Sequence, residues 1–395
     1  MIKRKKSPHP PFTKGGQGGI NSKAGFTLIE LLITMVVFVL VMAAGSQIFT
    51  GLLTQFKQQS KIAETNIEGI VGLEILKQDI GHAGYGLPWN VTGIADTDGD
   101  GNFWEHLPGY SEGGTNPFNL NDAPNDAPKA LVSANNATFS SPNDIFDGSD
   151  YLVIKAVNVA RNDACQKWTT QTSGDTKRTW GIASEDLNGT DRVIVVFPGS
   201  TDLNSRSLIV SGGAFTTTFS ITAGFAPTVS TDTHIIYGVN DSSASFPVRP
   251  FNRSDYFIQR PATNTPQRCA PNTGILFKAT MNHDAGGNYN FLPLLDCAAD
   301  MQVVYRRDTD GDGTIDNTTD DISALTAQQI RDQVKEVRVY VLAHEGQRDV
   351  NYTHTPTTIY VGDPAIGGGR NFDIGANVNY RWKLYTLVVR PNNLR

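Results

Sequence analysis

Gly25-Phe26-Thr27-Leu28-Ile29-Glu30-Leu31-Leu32 opens an apolar run that continues to Phe49, 24 residues from Phe26 onward whose only charge is Glu30. At 1.5 Å rise per residue such a run makes a helix of roughly 36 Å, enough to cross a bilayer. A carboxylate inside the hydrocarbon costs about 2–3 kcal/mol even on lenient insertion scales. A chain that keeps one there needs it for a partner within the membrane.

The 25 residues before the run carry six basic side chains (Lys3, Arg4, Lys5, Lys6, Lys14, Lys23) and no acidic one. A secretory signal places its small-residue cleavage site after the apolar core. Here Ala24-Gly25 comes before it. That order resembles the class III leader of type IV prepilins and of the pseudopilins of type II secretion. The resemblance implies cleavage between Gly25 and Phe26 by a membrane-embedded prepilin peptidase, N-methylation of Phe26, and retention of the apolar segment as the first half of a long helix. One departure is that Ala24 separates Lys23 from Gly25, where many members have the basic residue directly before the Gly. The family's fifth-position glutamate falls on Glu30. In a filament it would pair with the charged N-terminus of Phe26 in an adjacent subunit. A buried ion pair adds little net stability but penalises the wrong register, which suits a device that sets axial stagger.

The 395 residues carry a formal charge of −6, and removing the six leader cations leaves 27 basic against 39 acidic residues, a net −12. That balance argues against a nucleic-acid-binding surface. The cations cluster ahead of the run, so the positive-inside rule puts the N-terminus in the cytoplasm and the C-terminus in the periplasm, with the run in the inner membrane. Gly (38) and Pro (20) suit a loop-rich β-structure.

Beyond the membrane the helix is expected to continue over 51–83. Phe56, Ala63, Ile67, Ile70, Leu73, Leu76 and Ile80 recur mostly three or four apart, and the pattern stops at Gly81-His82-Ala83-Gly84. Residues 84–149, rich in Gly, Asn, Pro and Asp, read as a loop-rich excursion. A β-rich domain over 150–395 follows, with strands expected at 151–157, 192–197, 207–210, 234–237, 275–279, 301–305, 335–342 and 383–389. Residues 324–334 read as a short helix. The fold class is therefore α+β: a long N-terminal helix packed on a mainly antiparallel, pilin-like sheet with long loops.

Two acidic loops carry the clearest chemistry. Asp308, Asp310, Asp312, Thr314 and Asp316 follow the alternating spacing of an EF-hand-type Ca²⁺ loop, with Gly313 for the turn. Thr319 stands where an EF-hand has its bidentate Glu, so Asp320 or Asp321 in the loop 308–321 would supply the last ligand. The strand before it makes this a loop on a β-scaffold. A second, weaker copy offers Asp96, Asp98, Asp100, Asn102 and Glu105. Asp and Gly also form plain solvated turns. Three cysteines lie in the exported part, Cys165, Cys269 and Cys297. An oxidising compartment favours one pair; Cys269–Cys297 flanks the expected strand at 275–279, and Cys165 could replace either member.

The seven histidines occur singly, and no zinc-protease, phosphate-loop or nucleophile-elbow motif is present, so no enzyme is expected. Gly367-Gly368-Gly369-Arg370 reads as a flexible connection. The segment Cys297-Ala298-Ala299-Asp300-Met301-Gln302-Val303-Val304-Tyr305, with Arg381-Trp382 and the ending Val388-Val389-Arg390-Pro391-Asn392-Asn393-Leu394-Arg395, resembles PilW-type minor pilins. That resemblance implies a role in the initiation or tip of type IV pilus assembly. The implied partners are other minor pilins, the major pilin, the inner-membrane assembly platform and a tip adhesin, at the pilus tip or cell surface. The alternatives are a J-type minor pseudopilin of type II secretion and a membrane-anchored calcium-dependent binding module.

Overall fold

The computed structural model describes residues 25–113, 120–137, 147–199, 205–242, 246–261, 265–283 and 286–394. The leader at 1–24 lies outside them. The chain divides into two compact units at Lys57/Gln58. Helix α1, Leu28–Gly81, runs for 54 residues. Every described side chain from 25 to 57 is exposed, as suits a segment whose surroundings are lipid or other helices.

The second unit contains strands β1 (Asn90–Thr92), β2 (Leu131–Ala134), β3 (Tyr151–Ala156), β4 (Trp168–Thr172), β5 (Thr176–Lys177) and β6 (Arg192–Phe197). Then come β7 (Ser207–Ile209), β8 (Thr217–Thr218), β9 (His234–Asn240), β10 (Asn252–Gln259), β11 (Gly274–Met281) and β12 (Tyr289–Arg307). The remainder is β13 (Asn317–Thr319), helix α2 (Ala327–Gln333), β14 (Val334–Glu345), β15 (Thr358–Gly362), β16 (Gly369–Asp373) and β17 (Arg381–Val389).

They form an eight-stranded antiparallel sheet in the order β17-β14-β12-β11-β10-β3-β2, with β13 beside β12. A seven-stranded sheet runs β1-β7-β6-β9-β4-β5 with β8 beside β6, antiparallel except for β1 against β7. A long helix with a mainly antiparallel sheet is the fold class read from the sequence.

The alternation in β14 explains how the larger sheet is covered. Val337, Val339 and Val341 join the core formed with Leu73, Leu76 and Ile80 of α1. Tyr340 and Leu342 face the other way, into a second core with Val361, Ile374 and Trp382 under the β15–β16 hairpin. Both faces are buried, one by a helix and one by a hairpin.

Two expectations need correction. The contact face of α1 runs through Gly69, Gly72, Leu73, Leu76, Asp79 and Ile80, whereas Phe56, Ile67 and Ile70 are 60–70% exposed. The reason is close packing on the start of β12: a Cβ on Gly72 would lie 1.9 Å from the Leu294 carbonyl oxygen, so the helix axis sits where only Gly fits. The 84–149 segment, where described, has only β1 and β2 as strands and is otherwise turns and loop, yet Trp104, Leu107, Tyr110 and Leu131 from it are buried in the main core. Gly367 and Gly368 form the turn of a hairpin, and Arg370 on β16 binds Asp300, Nε to Oδ2 at 2.9 Å. That is an anchored turn, not a flexible connection.

Candidate assembly and cation-binding sites

Thr27-Leu28-Ile29-Glu30 has the spacing of a capping box, and the structure forms one. The Glu30 carboxylate accepts from the Thr27 N–H and from the Thr27 hydroxyl, both at 2.9 Å. Thr27 Oγ1 in turn accepts from the Glu30 N–H at 3.3 Å. Within one chain, Glu30 therefore caps its own helix. This was readable in Thr-x-x-Glu, beside the intersubunit role. Gly25 and Phe26 lead into the helix, with Phe26 fully on the outside.

The two acidic loops share one hydrogen-bond skeleton. In the first, Asp96 accepts from Gly99 N at 2.7 Å and Gly101 N at 2.9 Å, and Asp100 accepts from Asn102 N at 2.7 Å. In the second, Asp308 accepts from Gly311 N at 2.7 Å and Gly313 N at 3.0 Å, and Asp312 accepts from Thr314 N at 2.6 Å. Gly99 and Gly101 have φ of 80° and 88°, Gly311 and Gly313 of 79° and 87°, a backbone that glycine adopts without strain. Composition that looked like a repeat is a repeat in conformation.

The second loop closes the β12–β13 hairpin, with Arg307 opposite Asn317. It brings the carboxylates of Asp308, Asp310 and Asp316 within 4.8 Å of one another. Asp312, turned onto the Thr314 amide, and Asp320 lie outside that cluster. The first loop gathers Asp96, Asp98 and His106, and also Asp98, Asp100 and Glu105. The Asn102 side chain is committed to the Asn125 carbonyl and the Trp104 amide. His106 was missed because nothing in its sequence position marks it; the loop folds back and sets its Nε2 3.4 Å from Asp98. The hydrogen bond shared with Asp98, partial burial and the charges of Asp98 and Asp100 raise the Glu105 pKa. A cation placed there would relieve that crowding.

Cys269 and Cys297 are joined by a disulfide, while Cys165 is buried and free. Burial pushes the Cys165 thiol up to about 11. Beside the disulfide, His344 Nε2 accepts from the Ala270 N–H at 2.8 Å.

Sequence reasoning also missed a set of buried charges. Asp79, on the core face of α1, accepts from the Tyr256 hydroxyl and the Lys278 ammonium. Lys155 binds Glu112 at 2.6 Å and Asp122 at 2.5 Å, and Arg253 binds Glu112 at 2.8 Å and Asp255 at 2.7 Å. Strand β10, reading Asn-Arg-Ser-Asp-Tyr-Phe-Ile-Gln, was overlooked for the same reason: its charges look solvent-facing until their partners are known.

Residues 20–46 match the prokaryotic N-terminal methylation motif, and residues 255–393 match the type IV pilus-assembly protein W family. The second stretch supplies β11 to β17 and most of β10; β2, β3 and the seven-stranded sheet lie between the two matches. No curated protein and no solved structure matches the chain. Both families are structural parts of pili, not enzymes. A methylation motif on an exposed apolar helix, followed by a match to the protein W family over most of the main sheet, supports a type IV prepilin-like protein similar to PilW-type minor pilins.

Proposed function

We propose that this minor pilin acts in the initiation or at the tip of type IV pilus assembly. It enters the inner membrane with its C-terminus in the periplasm, is cut between Gly25 and Phe26 by prepilin peptidase, and is methylated on Phe26. Its partners are the pilus machinery and other pilins: minor subunits, the major pilin, the assembly platform and a tip adhesin. The observation that carries the tip placement is the additional seven-stranded sheet, inserted between the helix and the protein W domain. Such bulk suits a position present once per filament better than one repeated in every layer. The protein W match favours the pilus over type II secretion.

Glu30 supports assembly by pairing with the Phe26 amine of a neighbour. The capping box supplies a control for this: Thr27→Ala removes the cap but keeps the carboxylate, whereas Glu30→Ala removes both. Mass spectrometry of the N-terminal peptide should find methylated Phe26, and Glu30→Ala should insert yet crosslink poorly to other pilins while Thr27→Ala crosslinks normally. An intact leader, or equal assembly of the two variants, would overturn the reading.

We also propose that the two acidic loops bind Ca²⁺, chiefly through Asp308, Asp310 and Asp316. Their common skeleton and clustered carboxylates support this.

A further inference from the structure

Outside both family matches, the edge of the seven-stranded sheet carries a cleft of about 360 Å³. That is within the range of about 300–1,000 Å³ typical of small-molecule sites. Its walls are two indoles. Trp168, at the start of β4, and Trp180 meet edge to face with centroids 4.9 Å apart. The corner is held firmly. Trp180 Nε1 donates to the Trp168 carbonyl at 2.8 Å, its backbone N–H donates to Asp186 at 2.7 Å, and the Arg178 guanidinium lies 4.3 Å above its ring. Trp168 nevertheless stays 37% exposed, a large apolar face left open at the cleft.

The polar lining is Asp163, Gln166, Lys167, Ser184 and Glu185, and the Gln166 amide already donates to the Asn158 carbonyl at 3.0 Å. Lys167 Nζ holds one Asp163 oxygen at 2.7 Å and leaves that carboxylate largely in solvent. The side chains of Ser184 and Glu185 have no hydrogen-bonding partner among the described residues.

We infer that this cleft binds a neutral saccharide. A sugar ring presents a face of C–H groups carrying slight positive charge, which complements the negative face of an indole. Around that face it presents hydroxyl donors, which the Asp163 and Glu185 carboxylates and the Ser184 hydroxyl accept. An apolar ligand would strand the carboxylates, at a cost in desolvation. An anionic ligand would meet two carboxylates against one lysine that is already paired. Because the Trp180 indole is pinned by its own hydrogen bond, that wall loses little side-chain entropy on binding. This inference does not depend on where in the pilus the subunit sits.

The test uses the full processed chain in dodecylphosphocholine micelles, which carry no sugar headgroup. It is applied to an array of neutral oligosaccharides ending in glucose, galactose, mannose or N-acetylglucosamine, with sialylated counterparts. Retained sugars are then titrated against tryptophan fluorescence. Binding of neutral members is expected, weakened at least tenfold in Trp168→Ala and at least threefold in Glu185→Gln, with an unchanged melting temperature in the second. Should Trp168→Ala unfold, Trp168→Phe and Glu185→Gln carry the comparison. Failure of every neutral sugar to bind, preference for sialylated ones, or binding indifferent to Glu185→Gln and both Trp168 variants would overturn the assignment.

Discussion

Replacing Asp79 by Ala removes a carboxylate that joins helix α1 to strands β10 and β11 of the main sheet. Asp79 is 4% exposed and Lys278 2%, so the pair lies in the protein interior. With the carboxylate gone, the ammonium retains the Val159 carbonyl, at 2.8 Å, and the Tyr256 hydroxyl loses its acceptor. Breaking a buried pair from one side costs about 3–5 kcal/mol, because the surviving charge stays desolvated. That is a large part of the stability of an ordinary domain, about 5–15 kcal/mol. Burial already lowers the Lys278 pKa, and Asp79 opposes that shift. Without Asp79 the lysine loses its proton more easily still, so the deficit should narrow as pH rises toward the unfolded lysine's value of about 10.4. Arg161, whose charge also lowers the Lys278 pKa, acts in the same direction. Removing both charges, as Asp79→Leu with Lys278→Met, should restore most of the loss, since apolar replacement of a buried pair is often neutral or stabilising. Denaturant unfolding of the processed chain in micelles, followed by circular dichroism at several pH values, measures all three effects. A double variant no more stable than Asp79→Ala would show that the cost does not come from the stranded charge.

Gly72→Ala should destabilise by about 1–3 kcal/mol through overpacking, even though Ala is the better helix former by about 1 kcal/mol. Gly69→Ala meets only side-chain atoms, at 3.0 and 3.4 Å, and should be close to neutral in the same denaturation assay. Burial lowers His344 to about 4. An unfolded His binds its proton near 6.5, so stability due to this residue is full above 6.5 and is lost as pH falls toward 4, by about 3 kcal/mol in all. His344→Gln should flatten that part of the stability-against-pH curve, and an unchanged slope would assign the acid sensitivity elsewhere. Ca²⁺ at a hundred times its dissociation constant should stabilise by about 2.7 kcal/mol per site. Calorimetry should therefore find a higher melting temperature with Ca²⁺ than with chelator, largely abolished in Asp308→Ala or Asp310→Ala and less affected in Asp98→Ala. Melting indifferent to chelator would reduce both loops to turns.

The helix from Leu28 to Gly81, the strands β6, β14 and β17, and the prepilin motif at Gly25-Phe26-Glu30 were legible in the sequence. They rest on local signals: an unbroken apolar run, an alternation of apolar and polar residues, and a cluster of cations on one side. The acidic loops were legible as well, because a glycine at each positive-φ position and a carboxylate at each alternate one describe a conformation that the segment adopts by itself. Asp79, Lys155, Arg253 and Lys278 could not be placed this way. A charged side chain reads as solvent-facing until a partner far along the chain makes its burial affordable, and Asp79 and Lys278 are 199 residues apart. The same applies to the face of α1: apolar periodicity pointed to Ile67 and Ile70, but contact at Gly72 turned the helix and left them outside. Local patterning thus determined which segments are helix, strand and leader, while only the tertiary structure decided which faces meet, since that depends on close backbone approach and on charges paired across distant strands.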